Sequence, residues 1–257
     1  MLAAAAHTDI YVAAFTARCE AVRPVGLPTI QQPGLLGLLP SSDDPVTRLL
    51  VTDDQAYDLL AELLPDAQAG MITVFPGAVR CAELVHGLAA WTPEARTALI
   101  RRDLQTVPAV PLPSELTLRP VRRLPGDPPD AVPLEDAVAA AILADPGFDG
   151  PPQELASYLR SLPPATRLFA AVDGDGVVRG TSGCGVFRAF ASVMFVNTDP
   201  AWRERSIGRA MTAAALRAAY EDEARHACLD ATDAGLAIYQ RLGFEVVARA
   251  TRFVRAR

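Results

Sequence analysis

From residue 115 to residue 254, short apolar runs of strand length alternate with segments of helical spacing. This alternation constrains the fold more than any other feature of the chain. Residues 115–122 (ELTLRPVR) alternate as an opening strand does. Residues 134–144 and 152–162 have helical spacing. Residues 167–172, 177–187 and 190–198 read as three strands, the first two joined by an Asp-Gly-Asp-Gly turn at 173–176. A long helix is expected over 207–224, a strand over 227–231, a helix over 233–242 and a last strand over 245–254. The order βααβββαβαβ predicts an α/β (α+β) fold, a mixed sheet with helices on its faces.

The front part is less regular. Strands are expected at 48–52 and 71–75, and helices at 53–64, 77–88 and 93–104. The alanine-rich start reads as a helix rather than a signal peptide, because it lacks a basic leader and meets Asp9 early. Residues 26–45, with Pro and Gly throughout, read as a long irregular segment. The stretch 107–113 (VPAVPLP) reads as an extended linker. The boundary is therefore placed at Ser114. Residues 1–113 form a mixed helical and strand domain of accessory character, and residues 114–257 carry the alternating pattern. A worn second copy of the back fold is one reading of the front part, on the helix–strand–helix order around 71–75.

Composition narrows the function. The chain has 257 residues, half of them apolar, with net charge −6 and pI about 5.1. An acidic chain is poorly suited to neutralising nucleic-acid phosphates, so no nucleic-acid partner is expected. No window approaches the length of apolar residues that a membrane span requires, so no membrane partner is expected either. Cys19, Cys81, Cys184 and Cys228 stand far apart, and His7, His86 and His226 are isolated. That spacing offers neither a disulfide scaffold nor a metal site and reads as buried free thiols in a reducing cytoplasm.

Chemistry concentrates in residues 199–210, DPAWRERSIGRA, between a strand and a long helix. The first turn of a helix offers unpaired amides and the positive end of the helix dipole, and both suit an anion. Gly208 permits close backbone approach, and Arg203, Arg205 and Arg209 add positive charge in an acidic protein.

Here the chain resembles the GNAT N-acetyltransferases. Their signature, Arg or Gln, two residues, Gly, one residue, then Gly or Ala, stands as Arg205-Ser206-Ile207-Gly208-Arg209-Ala210. A second match is 233–244, DAGLAIYQRLGF, where Tyr239 precedes Gly243-Phe244 as a tyrosine-bearing helix precedes Gly-Phe in the family. The resemblance covers about residues 116–257. It implies acetyl-CoA as cosubstrate. Val196, Asn197 and Thr198 would pair with the pantetheine arm in the gap where their strand splays from the next. Arg203, Arg205, Ser206, Ile207, Gly208, Arg209 and Ala210 would surround the pyrophosphate, and Thr232 holds the place of a frequent asparagine. Tyr239 resembles the tyrosine that protonates the departing thiolate.

The resemblance implies direct attack of a primary amine on the thioester in a ternary complex, with a small-molecule or peptide acceptor. The general base stays unassigned among Asp199, Asp230 and Asp233, each of which also reads as a cap or turn residue. Oligomeric state is left open, a homodimer included. Glu204 and Ser206 stand where the family commonly has glycine. They carry the alternative, a degenerate fold that binds acyl-CoA as a sensor or interaction module without turnover.

Overall fold

The computed structural model describes residues 9, 11–17, 29–39, 46–65, 67, 69–101, 103–144 and 151–255. In chain order the elements are a helix over 11–17 (α1), β1 (Thr29–Gln32), β2 (Leu35–Leu38), β3 (Val46–Val51), α2 (Tyr57–Leu63), β4 (Ala69–Val74), α3 (Val79–His86) and β5 (Thr92–Arg101). Then come β6 (Thr117–Arg122), β7 (Val132–Pro133), α4 (Leu134–Ala144), α5 (Pro152–Ser161), β8 (Arg167–Val172), β9 (Val178–Phe187) and β10 (Phe190–Thr198). The chain closes with α6 (Ile207–Glu221), β11 (His226–Ala231), α7 (Asp233–Gln240) and β12 (Glu245–Arg255). The fold is mixed α/β, with mixed sheets flanked by helices, as the alternation predicts. No described helix is long and apolar enough to cross a membrane.

Two compact units divide the chain, and not at one point. The first holds residues 1–100, 230–237 and 245–257, and the second holds 101–229 and 238–244. Strands of the first unit lie in the order β1-β2-β3-β4-β12-β5. β12, at the far end of the sequence, runs antiparallel to both β4 and β5 and so lies between them in the front sheet. One face of this sheet is closed by α2 and α3 over Leu35, Leu49, Val51, Ile72, Val74 and Phe253.

Two expectations for the front part are corrected. Residues 92–101 form β5, not a helix. Their Ala, Glu, Arg and Leu content favours helix, but pairing with β12 over 92–100 overrides propensity and buries Ala98, Leu99 and Ile100 completely. Within 26–45, the described residues form the β1–β2 hairpin, turning at Pro33-Gly34 with Gly34 at φ +74°. Of the alanine-rich start, residues 11–17 are helical, and residues 1–8 and Cys19 lie outside the described residues. The front unit repeats the element order β–α–β–α–β of the back part, but β3 and β4 stay paired over all of 46–51 and 69–74, without a fork.

In the second unit the order is β11-β10-β9-β8-β6-β7. β8 illustrates how alternation builds the layers. Leu168, Ala170 and Val172 face α4 and α5, whereas Ala171 faces the start of α6 with Leu116, Ile207 and Met211. Cys81 and Cys184 are buried free thiols, and Cys228 is half-buried. Burial pushes the Cys184 thiol up to about 12, and burial with the neighbouring Asp54 carboxylate pushes Cys81 up to about 11, which leaves both inert as nucleophiles.

Candidate active site

The site is built from one strand, one loop and one helix. β10 pairs with β11 only at Phe190, Ala191 and Ser192, opposite His226, Ala227 and Cys228. Beyond Ser192 the two parallel strands separate. On the other side β10 stays paired with β9 out to Thr198, with an irregularity between Met194 and Asn197. There Phe195 adopts φ +58°, a left-handed conformation characteristic of a bulge. Thr181 on β9, fully buried, holds the bulge by donating from its hydroxyl to the Phe195 carbonyl at 2.8 Å. Val196, Asn197 and Thr198 therefore form a strand edge anchored on one side and open on the other. Asn197 turns its side-chain amide to Thr181 Oγ1 at 3.4 Å.

After β10 the chain passes a single 3-10 turn, Pro200–Trp202, and then the loop 203–206 into α6. Glu204 and Ser206 both have positive φ, +65° and +62°. These are the positions where the resembling family commonly carries glycine. The chain keeps a glycine-type loop with two L side chains, at a cost of about 1 kcal/mol or more each. Ser206 provides no side-chain cap, and the first helical bond runs from the Ala210 N–H to the Ser206 carbonyl at 3.0 Å. The N–H groups of Ile207, Gly208 and Arg209 lie outside the helical ladder. A Cβ on Gly208 would meet Thr198 Oγ1 at 3.4 Å, an ordinary contact distance, so the helix opens beside the end of β10.

β9 fixes where α6 begins. A Cβ on Gly180 would lie 2.7 Å from Ile207 Cγ2, so only glycine lets the first helical residue settle on the strand. Ser182, on the same face, donates to the Met211 carbonyl at 2.9 Å one turn further on. These contacts were missed in the sequence, where the run Gly180-Thr181-Ser182 was the available signal.

The loop arginines part ways. Arg203 donates to the Ala144 carbonyl at 2.8 Å. Arg205 pairs with Glu115 at 2.5 Å and lies 4.3 Å from the Trp202 ring centre. Two of the three guanidinium groups expected at an anion are thus engaged by the protein. Arg209 is different. Its Nε is buried and lacks a hydrogen-bond partner among the described residues. Orphan backbone donors and an orphan guanidinium nitrogen together fit a diphosphate.

Of the carboxylates weighed as a base, two are committed. Asp199 accepts from the Ala201 N–H at 2.9 Å and pairs with Arg179 Nη1 at 2.7 Å. Asp230 accepts from the Tyr11 hydroxyl at 2.5 Å and pairs with Arg252 at 2.6 Å. Asp233 sits in the first turn of α7. Thr232 caps α7, accepting at Oγ1 from the Gly235 N–H at 3.3 Å.

Tyr239 lies in the last turn of α7, half-buried, with no hydroxyl partner among the described residues. Desolvation pushes its phenol up to about 12. The Gly-Phe pair explains its placement. Gly243, at φ +79°, donates to the Gln240 carbonyl at 2.9 Å, and the Phe244 N–H reaches back to the Tyr239 carbonyl at 3.1 Å. This is the Schellman closure of a helix, with its usual apolar contact: the Phe244 ring meets Tyr239 edge-on, 5.9 Å between centres.

Comparison with known proteins agrees with this geometry. Residues 164–246 match the family model of the acetyltransferase (GNAT) domain. No curated protein sequence matches the chain. Among solved structures, a GCN5-related N-acetyltransferase from Kribbella flavida superposes with TM-score 0.61 at 20% identity, covering 94% of this chain and 96% of its own. One from Sphaerobacter thermophilus gives 0.60 at 16% identity, covering 95% and 91%. A tandem GNAT protein from the clavulanic acid biosynthesis pathway gives 0.54 at 18% identity, covering 86% and 77%. The chain has the GNAT fold, and residues 164–246 are the part that carries the acetyltransferase domain pattern.

Proposed function

We propose that the chain is an N-acetyltransferase that moves an acetyl group from acetyl-CoA to a primary amine by direct attack in a ternary complex. One observation carries this reading: a strand fork and a left-handed loop opening an uncapped helix meet at the end of the same strand, β10. Acetyl-CoA, when bound, supplies a thioester activated toward amines. The open edge of Val196, Asn197 and Thr198 receives the amide-bearing pantetheine arm. The N–H groups of Ile207, Gly208 and Arg209, with Arg209 Nε, hold the diphosphate, and Ser206 and Ala210 frame the turn. The Tyr239 phenol keeps its proton at neutral pH and holds it for the departing sulfur. With Asp199 and Asp230 engaged elsewhere, the proton of the incoming amine is assigned to solvent water. Positioning supplies most of the acceleration. The acceptor is a small molecule or a peptide amine.

The alternative, acyl-CoA binding without turnover, draws on Glu204, whose carboxylate stands in the loop where a glycine is common. The retained left-handed backbone supports ligand binding at this loop, which both readings share, so the two differ in turnover alone. Calorimetric titration with acetyl-CoA and CoA tests both, beside Gly208→Glu, which puts a carboxylate into the first turn of α6. Saturable binding lost in the variant, with CoA release on an amine panel, is the expected result. Binding without release selects the sensor, and no binding removes both readings.

A further inference from the structure

The Schellman closure that sets Tyr239 leaves one group to be accounted for. As the chain reverses at Gly243, the Leu242 carbonyl leaves the helix, and Leu242 is itself buried. Arg101 meets that carbonyl. Its Nη1 donates to Leu242 O, and its Nη2 donates to Thr106 Oγ1 at 3.1 Å. Arg101 is almost wholly buried, and a Cβ on Gly243 would lie 2.1 Å from Nη1, so the guanidinium lies directly on the reversal. The segment that bears it is fixed in turn by the Leu104 N–H, which donates to the Arg225 carbonyl at 3.2 Å. Arg101, Thr106 and Leu104 all fall outside the residues matched by the domain pattern, 164–246.

Two of the bonds at this turn end on the residue in question. The Leu242 N–H donates to the Tyr239 carbonyl at 2.9 Å, and the Phe244 N–H donates to the same oxygen. The Leu242 carbonyl belongs to the peptide unit whose N–H, that of Gly243, donates to Gln240, and this unit lies between the Leu242 and Phe244 N–H groups that both end on Tyr239; a group that fixes it fixes the reversal on which those two bonds depend. A buried charge committed to a single helix end is costly unless the geometry it enforces is needed.

We infer that Arg101 is a positioning residue for Tyr239: it clamps the 242–244 reversal and so holds the phenol ring against Phe244 in one orientation. This rests on the proposed role of Tyr239 as proton donor, but its first test does not use turnover. In protein carrying 13C-labelled tyrosine, the Tyr239 ring signal is assigned by its loss in Tyr239→Phe. The edge contact with Phe244 gives it a ring-current shift. Arg101→Lys, which keeps charge but loses the fork, is expected to move that signal to the position of a mobile tyrosine while the other tyrosine signals stay in place. An unmoved Tyr239 signal overturns the inference. If Arg101→Lys collapses every tyrosine signal to the random-coil position by unfolding, Thr106→Val decides. It removes only the second anchor, and a selective Tyr239 shift supports the clamp whereas none overturns it.

With an amine that turns over, Arg101→Lys should lower kcat about tenfold and leave KM for acetyl-CoA within about twofold. In the Tyr239→Phe background it should cost nothing further, since both act through one proton transfer. Independent, multiplying losses would overturn the clamp. Absence of turnover with any amine would count against the proposed activity, and the ring signal would still report on Arg101.

Discussion

A phenol pushed up to about 12 stays protonated across the neutral range. Tyr239 owes this to desolvation, which disfavours the phenolate. Its sign fixes two pH dependences. Stability associated with the neutral phenol is fully present below the unfolded value of about 10 and is lost as pH rises through about 12. For turnover, kcat should climb with deprotonation of the amine and show no descending limb below about pH 11, measured across an alkaline series. Tyr239→Phe should lower kcat about 100-fold with little change in acetyl-CoA affinity by calorimetry. Equal kcat in the variant would assign thiolate protonation to water. In the loop, Ser206→Gly removes a left-handed L residue and should raise stability by about 0.5 kcal/mol, net of the entropy glycine adds to the unfolded chain. Glu204→Gly should do the same and tighten CoA binding as well, because it also removes a negative charge. Thermal unfolding and titration of the two variants separate strain from charge. None of this strain was visible in the sequence, which shows that Glu204 and Ser206 replace glycine but not that the backbone keeps glycine's shape.

At the scale of elements, the largest single dependence is α5 on Arg123. This buried side chain reaches six carbonyl oxygens, those of Leu159, Arg160, Leu162, Pro163, Pro164 and Thr166, at 2.8–3.4 Å. It closes the last turn of the helix and the loop leading to β8. Arg123→Met keeps the stem and strands those carbonyls, and should cost about 3 kcal/mol or more in urea unfolding. A loss below 1 kcal/mol would mean that water replaces the guanidinium. Most helices and strands from 115 onward were legible because they present one apolar face to a sheet layer and alternation records that directly, but β7 was not, since its two residues lie in a stretch rich in Pro and Asp that reads as a loop. β5 was not legible, since TPEARTALIR has helix-forming residues and becomes a strand only through β12, far away in the chain. The loop that opens α6 was legible from Arg205 and Gly208, but not the loss of Arg203 and Arg205 to Ala144 and Glu115. Those partners come from elements whose placement no local pattern encodes.

For the whole molecule, the interleaved units set what can be cut. A fragment ending at residue 113 contains β4 and β5 but not the strand that lies between them. It should be largely unfolded by circular dichroism and amide exchange, and adding a peptide of residues 245–257 should restore protected amides in β4 and β5. A stably folded fragment without the peptide would show that β4 and β5 can close on each other. Long-range pairings of this kind are slow to form, because loop closure precedes any contact energy. The position of β12 has a consequence for the order of events in a cell. Residues 29–100 leave the ribosome before residues 245–255, and until those are translated the front sheet lacks the strand that joins β4 to β5. A part made early is completed late, and in between it presents two unpaired strand edges that a nascent chain must keep from other chains.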